Sequence, residues 1–183
     1  VSLLEINDGA VTVYSSHGDP ALGGADWDST IADCLADEFL KYHGIELKRD
    51  PHAVHRLRTA AEEARKQLTN QPKALINLPF ITSGAAGPRH LNVTLTREKF
   101  EAETSSLNAR LSLPIERVLA DAGMDKLKVD SVLMIGGSSA MRVLKDTVRR
   151  IVGSVPIEVD NTSHLVALGA ALQAGHLAGD VHD

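Results

Sequence analysis

The chain has 183 residues, 43% of them hydrophobic and 23% charged, with a formal net charge of −5. That length buries a core without metal or disulfides, and the single Cys34 excludes an intrachain bridge and fits a reducing, cytoplasmic-type compartment. An aromatic content of 3%, a pI near 5.9 and no apolar run approaching ~20 residues argue against nucleic-acid and membrane partners alike.

Val1-Ser2-Leu3-Leu4-Glu5-Ile6 opens the chain already β-rich, without an initiator Met or a leader pattern, and reads as the start of a fragment. Asp8-Gly9 then predicts a tight hairpin into a second strand around Val11 and Val13. A glycine-rich turn, Gly18 to Gly24, precedes a helix with Ile31, Leu35 and Phe39 on one face, ended by Gly44. A second helix begins after Pro51, with Val54, Leu57, Ala61, Ala64 and Leu68 as its apolar stripe. Ala74, Ile76, Leu78 and Phe80 alternate, as do Leu91, Val93 and Leu95, which predicts a second hairpin.

From Thr96 a helical pattern runs through Phe100, Leu107, Leu111, Ile115 and Val118, with Pro114 expected to bend or divide it. Residues 130–135 read as a short strand running into Gly136-Gly137-Ser138-Ser139, and Met141, Leu144, Val148 and Ile151 mark the helix that follows. Ile157-Glu158-Val159 reads as a weak strand. Asp160-Asn161-Thr162-Ser163 offers N-caps for a last helix rich in alanine and glycine. The pattern is α/β with an inserted α+β subdomain.

Two glycine turns enter helices. Gly136-Gly137-Ser138 could admit a phosphate or ribose against free N–H groups at a helix start, or could be a tight turn and nothing more. At Gly23-Gly24, Asp26 and Asp28 read most simply as helix caps, with an approaching anion as the alternative. Glu62, Arg65, Lys66 and Thr69 form one polar stripe, a solvated face unless something planar lies across it. His52 and His55 lack a completing carboxylate or Cys, so no metal site is read. Ser138 and Ser139 lack a serine-hydrolase pattern, and no carboxylate pair can be assigned as acid and base. No catalytic residue is therefore nominated.

Taken together the segments resemble the seventy-kilodalton heat-shock chaperone family, DnaK-like, over essentially the whole chain. The resemblance rests on Val1 to Ile6, Leu22-Gly23-Gly24-Ala25-Asp26-Trp27-Asp28, Arg56 to Glu62, and Asn77-Leu78-Pro79-Phe80-Ile81-Thr82. It continues through Gly87 to Asn92, Ile135-Gly136-Gly137-Ser138, Ala167 to Gln173 and Gly179-Asp180-Val181. It implies the second lobe of an actin-like ATPase (ribonuclease H-like), with 1–22 and 105–183 as the core and 23–104 as the inserted subdomain of two helices and a hairpin. ATP or ADP would lie between lobes. Gly23 and Gly24 would face phosphates, Glu62, Arg65, Lys66 and Thr69 would line the adenosine, and Gly136, Gly137 and Ser138 would approach from the opposite side.

The same resemblance implies that magnesium ligands, the catalytic lysine and lobe I precede Val1, and that the peptide-binding domain follows Asp183. Alone, the chain would then not hydrolyse ATP. A nucleotide exchange factor (GrpE-like) would bind the inserted subdomain, in a cytoplasm of bacterial type or an organellar matrix. Two positions depart from the family pattern: an arginine expected to pack on the adenine is Ala140, and an aspartate near the nucleotide is Ser163. A non-catalytic regulatory member is one alternative, and the corresponding lobe of a small-molecule kinase on the same fold is another. The central strand of a five-stranded sheet would also precede Val1, so residues 2–7 are expected to pair with 131–135 in antiparallel sense, or a strand donated by a neighbouring molecule is expected to fill the gap.

Overall fold

A computed structural model describes residues 1–84, 87–125, 128–157, 159 and 164–180. Strands β1 (Ser2–Asn7) and β2 (Ala10–Ser16) form an antiparallel hairpin, with Asn7 opposite Ala10. Asp8 and Gly9 both take positive φ, 47° and 81°, as the expected two-residue turn requires.

Helix α1 (Gly24–His43) buries Ile31, Leu35 and Phe39 at the predicted spacing. It stops at Gly44, whose left-handed φ of 66° turns its N–H back to the Leu40 carbonyl. Helix α2 (Pro51–Asn70) starts where Asp50 caps the His52 amide at 2.9 Å and Pro51 fills a position needing no N–H. Its buried stripe is Ala53, Leu57, Ala61, Ala64 and Leu68, so the face begins at Ala53 rather than Val54.

Strands β3 (Lys73–Gly84) and β4 (Gly87–Thr96) form the second hairpin. Its predicted alternation holds for Ala74 and Ile76 and fails at Phe80, which is 68% exposed while Ile81 is buried. The cause is a register shift between Leu78 and Thr82. Pro79 cannot donate to the ladder, and the resulting bulge reverses the faces beyond it. α1, α2 and this hairpin enclose one apolar cluster that includes Trp27, Leu57, Ile81, Leu95 and Phe100.

The helical run after Thr96 divides twice, into α3 (Arg97–Glu103), α4 (Ser105–Arg110) and α5 (Ser112–Asp121). Pro114 sits in the first turn of α5, where a missing N–H breaks no helical bond, so the division falls before it. At the first break Thr104 is fully buried, and its hydroxyl donates back to the Phe100 carbonyl at 2.8 Å. Helices α6 (Arg142–Val152) and α7 (Leu165–Ala178) complete the order. None of the α7 side chains is buried; Val166 and Leu177 are among the exposed ones. The predicted caps at 160–163 lie outside the described residues.

Two further sequence expectations, both about strand pairing, need correction. Residues 130–135 form no extended strand: Leu133 makes a single parallel bridge to Ile157, whose N–H donates to the Val132 carbonyl at 2.8 Å. Nor does 2–7 pair with 131–135; among the described residues β1 pairs with β2 alone, and the two sheets have two strands each. The hairpin is instead tethered to α5, through Ser15 Oγ donating to the Val118 carbonyl at 2.7 Å and His17 meeting Asp121 at 2.5 Å.

Candidate functional site

The two glycine turns, 114 positions apart in the chain by their residue numbers 24 and 138, meet in space. A Cβ placed on Gly24 would stand 2.6 Å from Ser138 Oγ and 3.2 Å from Arg65 Nη2. Gly24 is therefore glycine because two other segments approach its backbone. Ser138 is presented by a 3-10 turn (Gly137–Ala140) entered through Gly136, whose φ of 101° favours glycine. The turn is stapled by Ser139, which donates from Oγ at 2.6 Å and from N at 3.0 Å to the Gly136 carbonyl. Met141, the next residue, is 4% exposed and belongs to the apolar cluster under α1 and α2.

Asp26 fulfils its capping reading: its Oδ2 accepts from the Gly23 amide at 2.7 Å. Asp28 does not. It turns inward and takes Arg65 in a bidentate pair, Nε to Oδ1 at 2.6 Å and Nη2 to Oδ2 at 3.0 Å. Both side chains are about nine-tenths buried. This fork-on-fork contact fixes the guanidinium against Gly24 and ties α1 to α2.

The polar stripe on α2 splits in two. Glu62 and Lys66 pair with each other at 2.7 Å on a solvated face, and the Lys66 ammonium holds the Glu62 carboxyl below its usual range. Arg65 and Thr69 instead line a narrow cleft whose far wall is Met141, Arg142 and Val143. Arg97 closes its floor by donating to the carbonyls of Leu68 at 2.9 Å and Gln71 at 2.7 Å. Of the nominated residues, Gly24, Arg65 and Ser138 are thus brought together and Thr69 lies on the cleft beside them. Gly23, Gly136 and Gly137 flank the contact through the chain. Sequence reasoning missed the inward role of Asp28, the anchoring of Met141 and the position of Arg142. Only the Met141 stripe gave any local signal.

A second, larger groove lies at the far end of α2, bounded by Arg56, Phe80, Thr82 and Pro88. Phe80 holds a φ of 53°, strained for an aromatic residue. Arg56 grips that bend by donating to the carbonyls of Phe80 at 2.8 Å and Pro79 at 2.6 Å. His90 accepts from the Phe80 amide at 2.9 Å and meets its ring edge-on.

Among the described residues no group of three His, Cys, Asp or Glu side chains could hold a metal, and no helix is long and apolar enough to cross a membrane. The family model described as "Hsp70 protein" matches residues 1–183. The chain belongs to the Hsp70 family. Across all 183 residues this Hsp70 chain is 43% identical to "Chaperone protein dnaK3" of Thermosynechococcus vestitus, and it spans 27% of that relative's length. The α/β architecture is that of the actin-like ATPase fold which the family implies, and the small-molecule kinase reading is set aside.

Proposed function

We propose that this Hsp70 chain supplies one wall of the nucleotide site of an ATP-driven protein-folding chaperone, and that it also bears the surface on which an exchange factor docks. The observation that carries the first part is the approach of Ser138 and Arg65 to Gly24. Two glycine turns and a polar helix face converge there, with the Ser138 hydroxyl and the Arg65 guanidinium set against the Gly24 backbone, which groups the hydroxyl, cation and helix-start N–H donors that a phosphate or ribose uses.

The bound nucleotide supplies the phosphoanhydride. The chain's own residues bind and orient it. Gly23 and Gly24 face its phosphates at the start of α1, while Gly136, Gly137 and Ser138 approach from the turn before α6. Glu62, Lys66 and Thr69 meet the adenosine with hydroxyl and charged groups, and Arg65, held by Asp28, keeps the two turns in register. The chain carries no assigned acid, base or magnesium ligand, so alone it binds and does not cleave. Residues 23–104, with Phe80 raised beside its groove, offer a GrpE-like factor an aromatic anchor on the inserted subdomain. The proposed setting is a bacterial-type cytoplasm or an organellar matrix.

Titrating ADP into the full-length protein tests this reading. ADP binds, Gly24→Val weakens it, and Ala140→Arg tightens it by about fivefold through a cation–aromatic contact. Absence of ADP binding by the unaltered protein overturns the proposal. Ala140 also favours a second reading, a regulatory member that binds nucleotide without turnover. Binding with no phosphate release by the full-length protein would favour it.

A further inference from the structure

The bend at Phe80 is held differently from the rest of its hairpin. The β3–β4 pairing shifts register between Leu78 and Thr82 and skips residues 79–81. Side chains from two elements hold the backbone there. Arg56 of α2 donates to the Pro79 and Phe80 carbonyls at 2.6 and 2.8 Å, and His90 of β4 accepts from the Phe80 amide at 2.9 Å. The Phe80 ring stands edge-on to the imidazole, with 4.8 Å between centroids. These contacts keep an aromatic residue at a φ of 53°, a strained conformation that persists only where its surroundings impose it.

The three bonds differ in what can undo them. A guanidinium donates at every pH that leaves the protein folded, so the Arg56 grip is constant. The His90 bond is conditional. Its Nδ1 accepts, which requires a lone pair there and leaves the ring proton on Nε2. A second proton would turn Nδ1 into a donor facing the Phe80 N–H. We propose that His90 is a pH-operated latch on this bend: the neutral imidazole holds Phe80, and the protonated one releases it. The latch is complete above the ordinary imidazole range and opens as pH falls through it, from about 8 to 5. Among the described residues, the other charged and titratable groups of the adjoining groove are Asp50, His52 and Arg56 on α2. β4 itself adds Arg89, and β3 brings only the hydroxyls of Thr82 and Ser83. Asp50 is turned to the His52 amide, at 2.9 Å. Phe80 is a wall of that groove, so release of the bend reshapes it, whether or not an exchange factor docks there.

Hydrogen exchange in the full-length protein tests this, resolved to single amides and divided by the intrinsic rate at each pH. Between about pH 8 and pH 5 the Phe80 amide loses about fivefold of its protection, the fold-change of one hydrogen bond, while the amides of α1 keep theirs. His90→Asn sets a carbonyl oxygen that does not titrate near the place of Nδ1, and keeps the Phe80 protection at both pH values. His90→Ala removes the acceptor and shows the lower protection at both. His52 is unaltered in each variant, so a fall that persists in His90→Asn belongs to another group and overturns the latch. Equal protection at both pH values in the unaltered protein overturns it too. So does a loss shared by α1, which would be global. If His90→Ala fails to fold, the comparison with His90→Asn decides alone.

Discussion

Asp28 and Arg65 are separated by 37 positions, yet they form a bidentate pair that ties α1 to α2 beside Gly24. Removing one partner of such a pair strands a buried charge. Asp28→Ala is therefore expected to destabilise the chain by about 3–5 kcal/mol, read from its urea midpoint, and Asp28→Leu with Arg65→Met by much less. Equal losses in the two would show that the pair is not buried in solution. Phe80 poses the opposite case, an exposed side chain on a strained backbone. Asparagine tolerates a positive φ and valine does not, so Phe80→Asn should exceed Phe80→Val in stability by about 1 kcal/mol, despite the better strand propensity of valine. The reverse order in thermal melts would mean that this φ is not held in solution.

Between elements, the meeting of Gly24 with Ser138 admits a direct check. Gly24→Ala drives a methyl against Ser138 Oγ and Arg65, at a cost of about 1–3 kcal/mol, and Ser138→Gly in the same chain should recover most of it. Additive losses would contradict the contact. A second tie, Arg110 of α4 to Asp19 at 2.5 Å, has a pH signature. The Arg110 hydrogen bond lowers the Asp19 carboxyl, so its contribution is complete above the unfolded carboxylate range and disappears as pH falls through the folded value. Asp19→Asn should flatten the acid limb of a stability-against-pH curve.

Elements that bury one face against a neighbour were legible in the sequence. Ile31, Leu35 and Phe39 announce α1 by spacing alone, and Asp8-Gly9 announces its turn. The bulge at Pro79 was not legible, because alternation continues through Leu78 and Phe80 whichever way the chain is registered. Nor was the fate of 130–135: an apolar run becomes a strand only where a partner lies alongside, and Ile157 offers one bridge. The nominated glycines and the α2 stripe were visible as separate local signals. Their convergence was not, since no periodicity spans Gly24, Arg65 and Ser138.

Across the whole molecule the apolar cluster draws on residues from Trp27 to Phe100 and on Met141 beyond them, while β1, β2 and α7 leave most apolar side chains exposed. We expect residues 23–104, expressed alone, to melt cooperatively. In the intact chain the amides of α1, α2, β3 and β4 should exchange slowest with solvent, and those of α7 close to the unfolded rate. Uniform protection would contradict this partition. Met141 is where the partition is crossed: its backbone follows the Gly136–Ala140 turn while its thioether is a peg in the other unit's core. Parting the two walls must draw that peg out, at about 1.5–3 kcal/mol for a side chain of its size. The resistance is chemically adjustable. A sulfoxide at Met141 is polar and prefers the withdrawn position, so mild peroxide should prop the walls apart and speed release of whatever lies between them, and Met141→Leu should be indifferent to it.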